Sequence, residues 1–254
     1  MSRLLKVLCF AFAVVAMGAF AASCGSSNAQ YRVVNAIPNT TTFDANGFAI
    51  YMNGSNLWPN VCFTCVEPTS SGKYQSVSGG SDTLDVYPQS QAGQTGATPV
   101  INSALNLHGG TQYTVVLAGN STATGATYPL VAQVITDTNP TPASGDAGLR
   151  IIDTSLALGA VDIYAVPTGT ACCPSATKIA SGLVYPGNIN GGYQNLGIPP
   201  NSSVTIWVTF ANTTSIIPTQ RNVLSGINAG QNYTYVLMDQ TGGGSPQQFV
   251  FLTP

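Results

Sequence analysis

Residues 107 to 119, LHGGTQYTVVLAG, return as residues 227 to 239, INAGQNYTYVLMD, and this limits the chain to an architecture that can be built twice. Gly110, Tyr113, Thr114, Val116 and Leu117 match Gly230, Tyr233, Thr234, Val236 and Leu237, an offset of 120 (113 to 233). Earlier in each half, GKYQSV from Gly72 is echoed by GGYQNL from Gly191, which sets Tyr74 against Tyr193 at an offset of 119. RVVNA from Arg32 is echoed by RIIDT from Arg150 at 118. Three motifs in one order at nearly constant offset mean one unit used twice with few net insertions. The period is that of a small domain rather than a solenoid repeat. Between the units, DTNPTPASGDAG (residues 137 to 148) has two prolines, two glycines and no apolar period, so it reads as a joint. The expected organisation is a domain over 31–137, a linker over 138–147 and a second domain over 148–254.

Each unit is patterned as strands. In SVTIWVTF, Val204, Ile206, Val208 and Phe210 fall on one face and Thr205, Trp207 and Thr209 on the other. Similar runs lie at about 31–37, 47–53, 83–87, 111–118 and 129–136, then at 149–154, 160–166, 178–185, 231–238 and 247–252, separated by Gly, Pro, Asn and Ser. No segment carries a helical stripe of more than two turns. The expected fold is all-β: two tandem immunoglobulin-like or fibronectin-like antiparallel β-sandwich domains. Leu107-x-x-Gly110-x-x-Tyr113 and Ile227-x-x-Gly230-x-x-Tyr233 resemble the tyrosine corner of such sandwiches, in which the ring is buried and the hydroxyl turns back to the preceding backbone.

The chain starts with a different kind of signal. Arg3 and Lys6 precede an uncharged run from Val7 to Ala22, which has the layout of a secretory signal peptide over residues 1–23. That run of 16 residues (7 to 22) falls short of the roughly 20 needed to span a bilayer. Ala21-Ala22-Ser23-Cys24 resembles the bacterial lipobox, with Ala21 in place of the usual leucine, which implies lipid attachment at Cys24. Residues 24–30 then form a small, polar tether. Gly25 after the cysteine resembles the pattern of lipoproteins sent to the outer membrane; without lipid on Cys24 the protein would be secreted.

Without residues 1–23 the chain keeps five basic and nine acidic residues, a formal charge of 5 − 9 = −4. Phosphate binding needs clustered Lys and Arg, so no nucleic-acid partner is expected. Charged residues are only 6% of the chain, against about 25% in ordinary soluble domains. Against that scarcity a repeated pair stands out: Arg32 and Asp44 are twelve residues apart, and so are Arg150 and Asp162 (44 − 32 = 162 − 150 = 12). Two readings apply, a repeated ligand site or a bridge pinning strand one of each unit to strand two; the placement favours the bridge.

Four further cysteines occupy corresponding loops, Cys62 and Cys65 in the first unit and Cys172 and Cys173 in the second. Vicinal cysteines suit tetrahedral zinc poorly and no helix follows to lower a thiol pKa, so structural disulfides are expected, with three pairings open. No metal site and no cofactor are expected. Catalytic chemistry has little to work with: the one histidine, His108, lies in a turn, and no phosphate loop or metalloprotease motif occurs. The protein is therefore expected not to be an enzyme, with a hydrolase as the distant alternative. Trp58, in NGSNLWPN, and Trp207 are the candidate stacking residues should the surface bind a glycan or another ligand.

The Arg-led first strands and the two G-x-x-Y-T strands together carry a family resemblance. Over nearly all of residues 31 to 252 the chain is similar to a tandem copy of the bacterial domain of unknown function 4397, whose members are mostly secreted or lipid-anchored. The family pattern has His three residues after the Arg, where this chain has Asn35 and Asp153. The resemblance implies a β-sandwich with no assigned activity. Two classes of function follow: a structural or adhesive module held to the membrane by its lipid and facing an envelope protein, or a surface module that recognises glycan.

Overall fold

The computed structural model describes residues 28–38, 46–69, 73–119, 128–173, 176–197, 202–239 and 248–252. The signal segment, Cys24 and Asp44 lie outside them. The first unit contains β1 (Ala29–Asn35), β2 (Phe48–Met52), β3 (Ser55–Val61), β4 (Val66–Glu67), β5 (Gln75–Val77), β6 (Gly80–Pro88), β7 (Ile101–Leu107), β8 (Gln112–Ala118) and β9 (Val131–Thr136). The second contains β10 (Gly148–Asp153), β11 (Val161–Pro167), β12 (Thr177–Leu183), β13 (Asn190–Asn195), β14 (Ser202–Phe210), β15 (Ile216–Ile227), β16 (Asn232–Met238) and β17 (Gln248–Leu252). A single short 3-10 turn, Gln89–Gln91, is the one helical element among the described residues, and no helix there is long and apolar enough to cross a membrane.

Each unit is a β-sandwich of two sheets, and the two units repeat one topology. The inner sheets run β4-β1-β8-β9, with β5 also on β1, and β13-β10-β16-β17; the outer sheets run β3-β2-β6-β7 and β12-β11-β14-β15. The expected wholly antiparallel pairing holds except at the centre of each inner sheet, where β1 lies parallel to β8 and β10 parallel to β16. Parallel neighbours need a crossover, and the hairpins of the outer sheet supply it.

The strands at the centre of the inner sheets are apolar on both faces, and this decides how the units meet. Tyr31 and Val33, with Tyr113, Val115 and Leu117, point into the first sandwich. One residue out of step, Val34, Val116 and Ala118 point the other way. In the second unit Leu149, Ile151, Tyr233, Tyr235 and Leu237 fill the sandwich while Ile152, Val236 and Met238 point out of it. The outward sets pack on each other, joined by Ile135, Val250 and Leu252, in a third apolar layer. The four sheets thus stack as outer, inner, inner, outer, and what reads in sequence as two domains on a linker is one continuous pile. Such double burial removes the usual apolar/polar alternation from the strands concerned.

The strands that the sequence pattern leaves out are β3, β4, β5, β7, β13 and β15. All lie at a sheet edge or, for β5, beside one. An edge strand carries polar residues on its outer face, and in INSALNL only Ile101, Leu105 and Leu107 are buried, so the apolar period is thin.

Both tyrosine hydroxyls return to their own corners. Tyr113 Oη accepts the His108 backbone N–H at 2.9 Å and Tyr233 Oη accepts that of Asn228 at 2.9 Å. Gly110 and Gly230, at φ +77° and +76°, make the turns that bring these groups back. Tyr113→Phe and Tyr233→Phe each leave a backbone N–H without its partner and are expected to cost about 1 kcal/mol or more, read as a shift in urea midpoint at unchanged slope.

Candidate functional site

The repeated arginines meet at one carboxylate. Arg32 and Arg150 stand on the outward faces of β1 and β10, on the same parity as Val34 and Ile152, so the stacking of the inner sheets brings both into the joint. Asp137, immediately after β9, lies between them. Arg150 Nη2 donates to Asp137 Oδ1 at 2.6 Å, and Arg32 Nη2 is 3.7 Å from Oδ2. The side chains are 3% exposed for Arg32, 1% for Arg150 and 0% for Asp137. Tyr74 Oη and Thr114 Oγ1 each donate to Asp137 Oδ2 at 2.7 Å, so the buried carboxylate is held from both sides.

Around this charge the two units are near mirror copies of one another in chemistry. Each guanidinium lies over its own unit's tyrosine, Arg32 on Tyr74 and Arg150 on Tyr193, both at 4.8 Å from the ring centre. Each also donates to its own unit's threonine, Arg32 Nε to Thr114 and Arg150 Nη2 to Thr234, both at 3.0 Å. Burial pushes the Tyr74 hydroxyl up against the pull of Arg32, and Asp137 pushes it further, so Tyr74 stays protonated as a donor.

The linker closes over this cluster. Asn139 donates to Gln112 of the first unit at 2.9 Å and accepts from Tyr193 of the second at 3.3 Å, while Asn232 donates to the Pro140 carbonyl at 2.6 Å. A cleft of about 360 Å³ remains between linker and sheets, lined by Arg32, Tyr74, Gln112, Asn139, Tyr193 and Asn232 among others. These groups stack and hydrogen-bond. Among the described residues no cluster of His, Cys, Asp or Glu could hold a metal ion.

The expected strand-one to strand-two bridge is not what Arg150 makes. Asp162 lies on the outer sheet and faces away from the sandwich, since Val161, Ile163 and Ala165 take the core positions of β11. Arg150 faces away from the opposite side, and the whole apolar core separates the pair. Asp162 instead accepts from Lys178 Nζ at 2.8 Å, from Ser181 and from the Gly182 and Asn212 backbone. Burial opposes its ionisation, but Lys178 and these other donors outweigh it and hold the carboxyl below its ordinary value. In the first unit Ala49, next to Ile50 and Tyr51, takes the place that Asp162 has next to Ile163 and Tyr164.

The cysteines are joined within their own loops, Cys62 to Cys65 and Cys172 to Cys173. The first loop also ends β1, since the Cys65 carbonyl accepts from Asn35 N–H at 3.0 Å and Thr64 N–H donates to Asn35 O at 2.9 Å. Trp58 packs edge-on against Tyr31 at 5.8 Å and borders the first core, so its ring is spent on packing. Trp207 is half-buried on the outer face of β14, across from Tyr164. His108 is exposed, and its backbone rather than its ring is used.

The profile of the family described as Domain of unknown function (DUF4397) matches residues 29–164, from the first strand through the linker into β11. The chain belongs to this family. The family's matched span holds Arg32, Tyr74, Thr114, Asp137 and Arg150, the larger part of the buried cluster. No curated protein matches the chain. Solved structures similar to it include the Bacillus anthracis TIE protein, at 10% identity and a TM-score of 0.24 over 85% of this chain and 34% of that one. Another, from Bacteroides uniformis and described as a cell adhesion protein, has 10% identity and a TM-score of 0.25 over 89% of this chain and 98% of that one. The chain spans about a third of the length of the first.

Asp137 escapes a comparison of the repeats because one carboxylate serves both arginines and has no repeat-matched twin; in sequence it reads as an ordinary turn residue. Asp137→Ala leaves two buried guanidinium groups with their shared carboxylate gone and is expected to cost about 3–5 kcal/mol in urea unfolding. Lys178→Ala, at a side chain 39% exposed, should cost about 1 kcal/mol or less in the same assay.

Asn35 and Asp153 hold equivalent positions with different protonation chemistry. Asn35 donates from Nδ2 to the Val61 carbonyl at 2.9 Å, while its Oδ1 accepts from Ile37 N–H. Asp153 Oδ1 likewise accepts from Ser155 N–H at 2.9 Å, but its buried Oδ2 has no hydrogen-bond partner. Burial, opposed by Ser155 and reinforced by Asp239, pushes the Asp153 carboxyl up to about 7. The folded protein therefore keeps a proton that the unfolded chain loses near the ordinary value of about 4. This contribution is whole below about pH 4 and is lost as the pH rises to about 7. Asp153→Asn should flatten that part of the stability-pH curve and raise stability at pH 8 by roughly 1–3 kcal/mol, measured by urea unfolding at pH 5 and 8.

Proposed function

We propose that the protein is a non-catalytic, lipid-anchored component of the bacterial cell envelope, with a structural or adhesive role at the outer membrane. The observation that carries this reading is the joint. Two sandwiches share a buried Arg-Asp-Arg cluster and a third apolar layer, a joint that suits a tethered module that must present a surface at a set distance from its anchor. The cleft beside the joint offers stacking and hydrogen-bonding groups, as a binding or bracing module requires, and the charge-poor composition suits a surface in contact with other envelope components. Cys24, behind Ala21-Ala22-Ser23 and ahead of a polar tether, supplies the membrane contact.

The test is the mass of the N-terminus. Protein extracted from membranes is expected to begin at a lipid-modified Cys24, and Cys24→Ser is expected to move it from the membrane to the soluble fraction. An unmodified Cys24 in membrane-extracted protein, or equal membrane retention of the Cys24→Ser chain, would sink the anchored reading.

A further inference from the structure

A second cavity, on the outer face of the first sandwich and far from the joint in chemistry, has the make-up of a sugar site. In the outer sheet one row of register partners runs Asn56, Tyr51, Asp85, Asn102 across β3, β2, β6 and β7. Tyr87, two residues on from Asp85, shares its face. The Tyr51 and Tyr87 rings stand at 73° to each other with centres 5.2 Å apart, forming an aromatic corner. The loop that follows β6 makes the opposite wall: Gln94 is held by the Ser90 carbonyl at 2.6 Å, and Gly93, at φ +75°, passes so near Tyr51 that an added Cβ would sit 4.0 Å from its hydroxyl. The open cavity between them is about 230 Å³ and is lined by Tyr51, Asp85, Tyr87, Gly93, Gln94 and Thr95 with two neighbours. That is below the range of drug-sized pockets.

The polar groups are already oriented. Asn102 Nδ2 donates to Asp85 Oδ1 at 2.5 Å, and Asn56 Nδ2 donates to the Tyr51 hydroxyl at 3.3 Å. The second Asp85 oxygen, Oδ2, has no hydrogen-bond partner among the described residues. A carboxylate flanked by amides accepts from paired hydroxyls, and aromatic rings take the apolar C–H face of a pyranose. The corresponding row of the second unit is Lys178, Tyr164, Trp207, Arg221. There the Lys178 ammonium lies over the Tyr164 ring at 5.4 Å and Tyr164 as a residue is 8% exposed, so the platform is covered.

We infer that the cavity formed by Tyr51, Asp85, Tyr87 and the Gly93–Ala97 loop binds one ring of a neutral saccharide, with Asp85 accepting from two adjacent hydroxyls and Tyr51 or Tyr87 stacking on the ring. Its single charge is negative, which disfavours uronates and sialylated or phosphorylated glycans.

The experiment titrates the full chain carrying Cys24→Ser with neutral hexopyranosides, N-acetylhexosamines and their disaccharides, followed by saturation-transfer NMR, with a uronic acid as the charged comparison. Binding of at least one neutral sugar is expected, with the uronic acid bound at least about tenfold more weakly. Tyr51→Ala and Asp85→Asn are each expected to weaken binding by about tenfold or more while the thermal midpoint stays near that of the parent. Both side chains are on the solvent face, and Asp85→Asn preserves shape, so at least that variant reports on folded protein. No neutral sugar bound, preference for the uronic acid, or binding unchanged in folded Asp85→Asn would each overturn the inference. The result is independent of the lipid at Cys24, so its failure and that of the anchored reading can be told apart.

Discussion

A carboxylate without access to water has to be met by donors on every side, and Asp137 is met by two units at once. Arg150 takes one oxygen, Tyr74 and Thr114 take the other, and Arg32 stands 3.7 Å away. An ion cluster this deep adds little net stability over a well-packed apolar alternative, but it is intolerant of any arrangement in which one partner is missing. Its consequence is therefore registry. The two inner sheets can slide or rotate on their apolar layer only by exposing or unpairing these charges, so the cluster selects one mode of stacking from the many that a greasy surface would allow.

The third apolar layer and the cluster divide the work by chemistry. Val34, Val116, Ile152 and Val236 supply non-directional burial, while Arg32, Arg150, Thr114 and Thr234, on the same faces of the same strands, supply direction. The linker adds a third element, since Asn139 and Pro140 bind both units through Gln112, Tyr193 and Asn232. A joint made in this way leaves the outer sheets as the free surfaces of the molecule. The two outer faces then differ through a few substitutions: where the first unit has Asn56 and Asp85, the second has Lys178 and Trp207, and the covered ring of Tyr164 contrasts with the open corner at Tyr51 and Tyr87.

Much of the fold was legible because its signals are local. Runs of β-branched and aromatic residues marked every central strand, the offset near 120 marked the repeat, and the spacing of Gly110 to Tyr113 and Gly230 to Tyr233 marked both corners. Of the edge strands, β9, β12 and β17 were marked as well, but β3, β4, β7, β13 and β15 were not, because polar residues on their outer faces thin the apolar period and β7 or β15 looks like loop. The candidate site was half legible. Arg32, Arg150, Tyr74 and Tyr193 stood out as repeated, yet the carboxylate that the two arginines share did not, and the equal spacing to Asp44 and Asp162 pointed elsewhere. Spacing along the chain cannot tell which face of a sandwich a side chain leaves by, and Arg150 and Asp162 leave by opposite ones.

By itself the sequence determined the all-β class, the duplication, the two corners and the family, because each rests on contacts between near neighbours or on identity between copies. Only the tertiary structure decided that the two sandwiches merge into four stacked sheets, that one aspartate closes the joint, and that Trp58 packs inward while Tyr51 and Tyr87 open outward. The physical reason is common to all three. A side chain's partner across a sheet or between units depends on strand order and on which face it takes, and neither is written in the distance between residues along the chain.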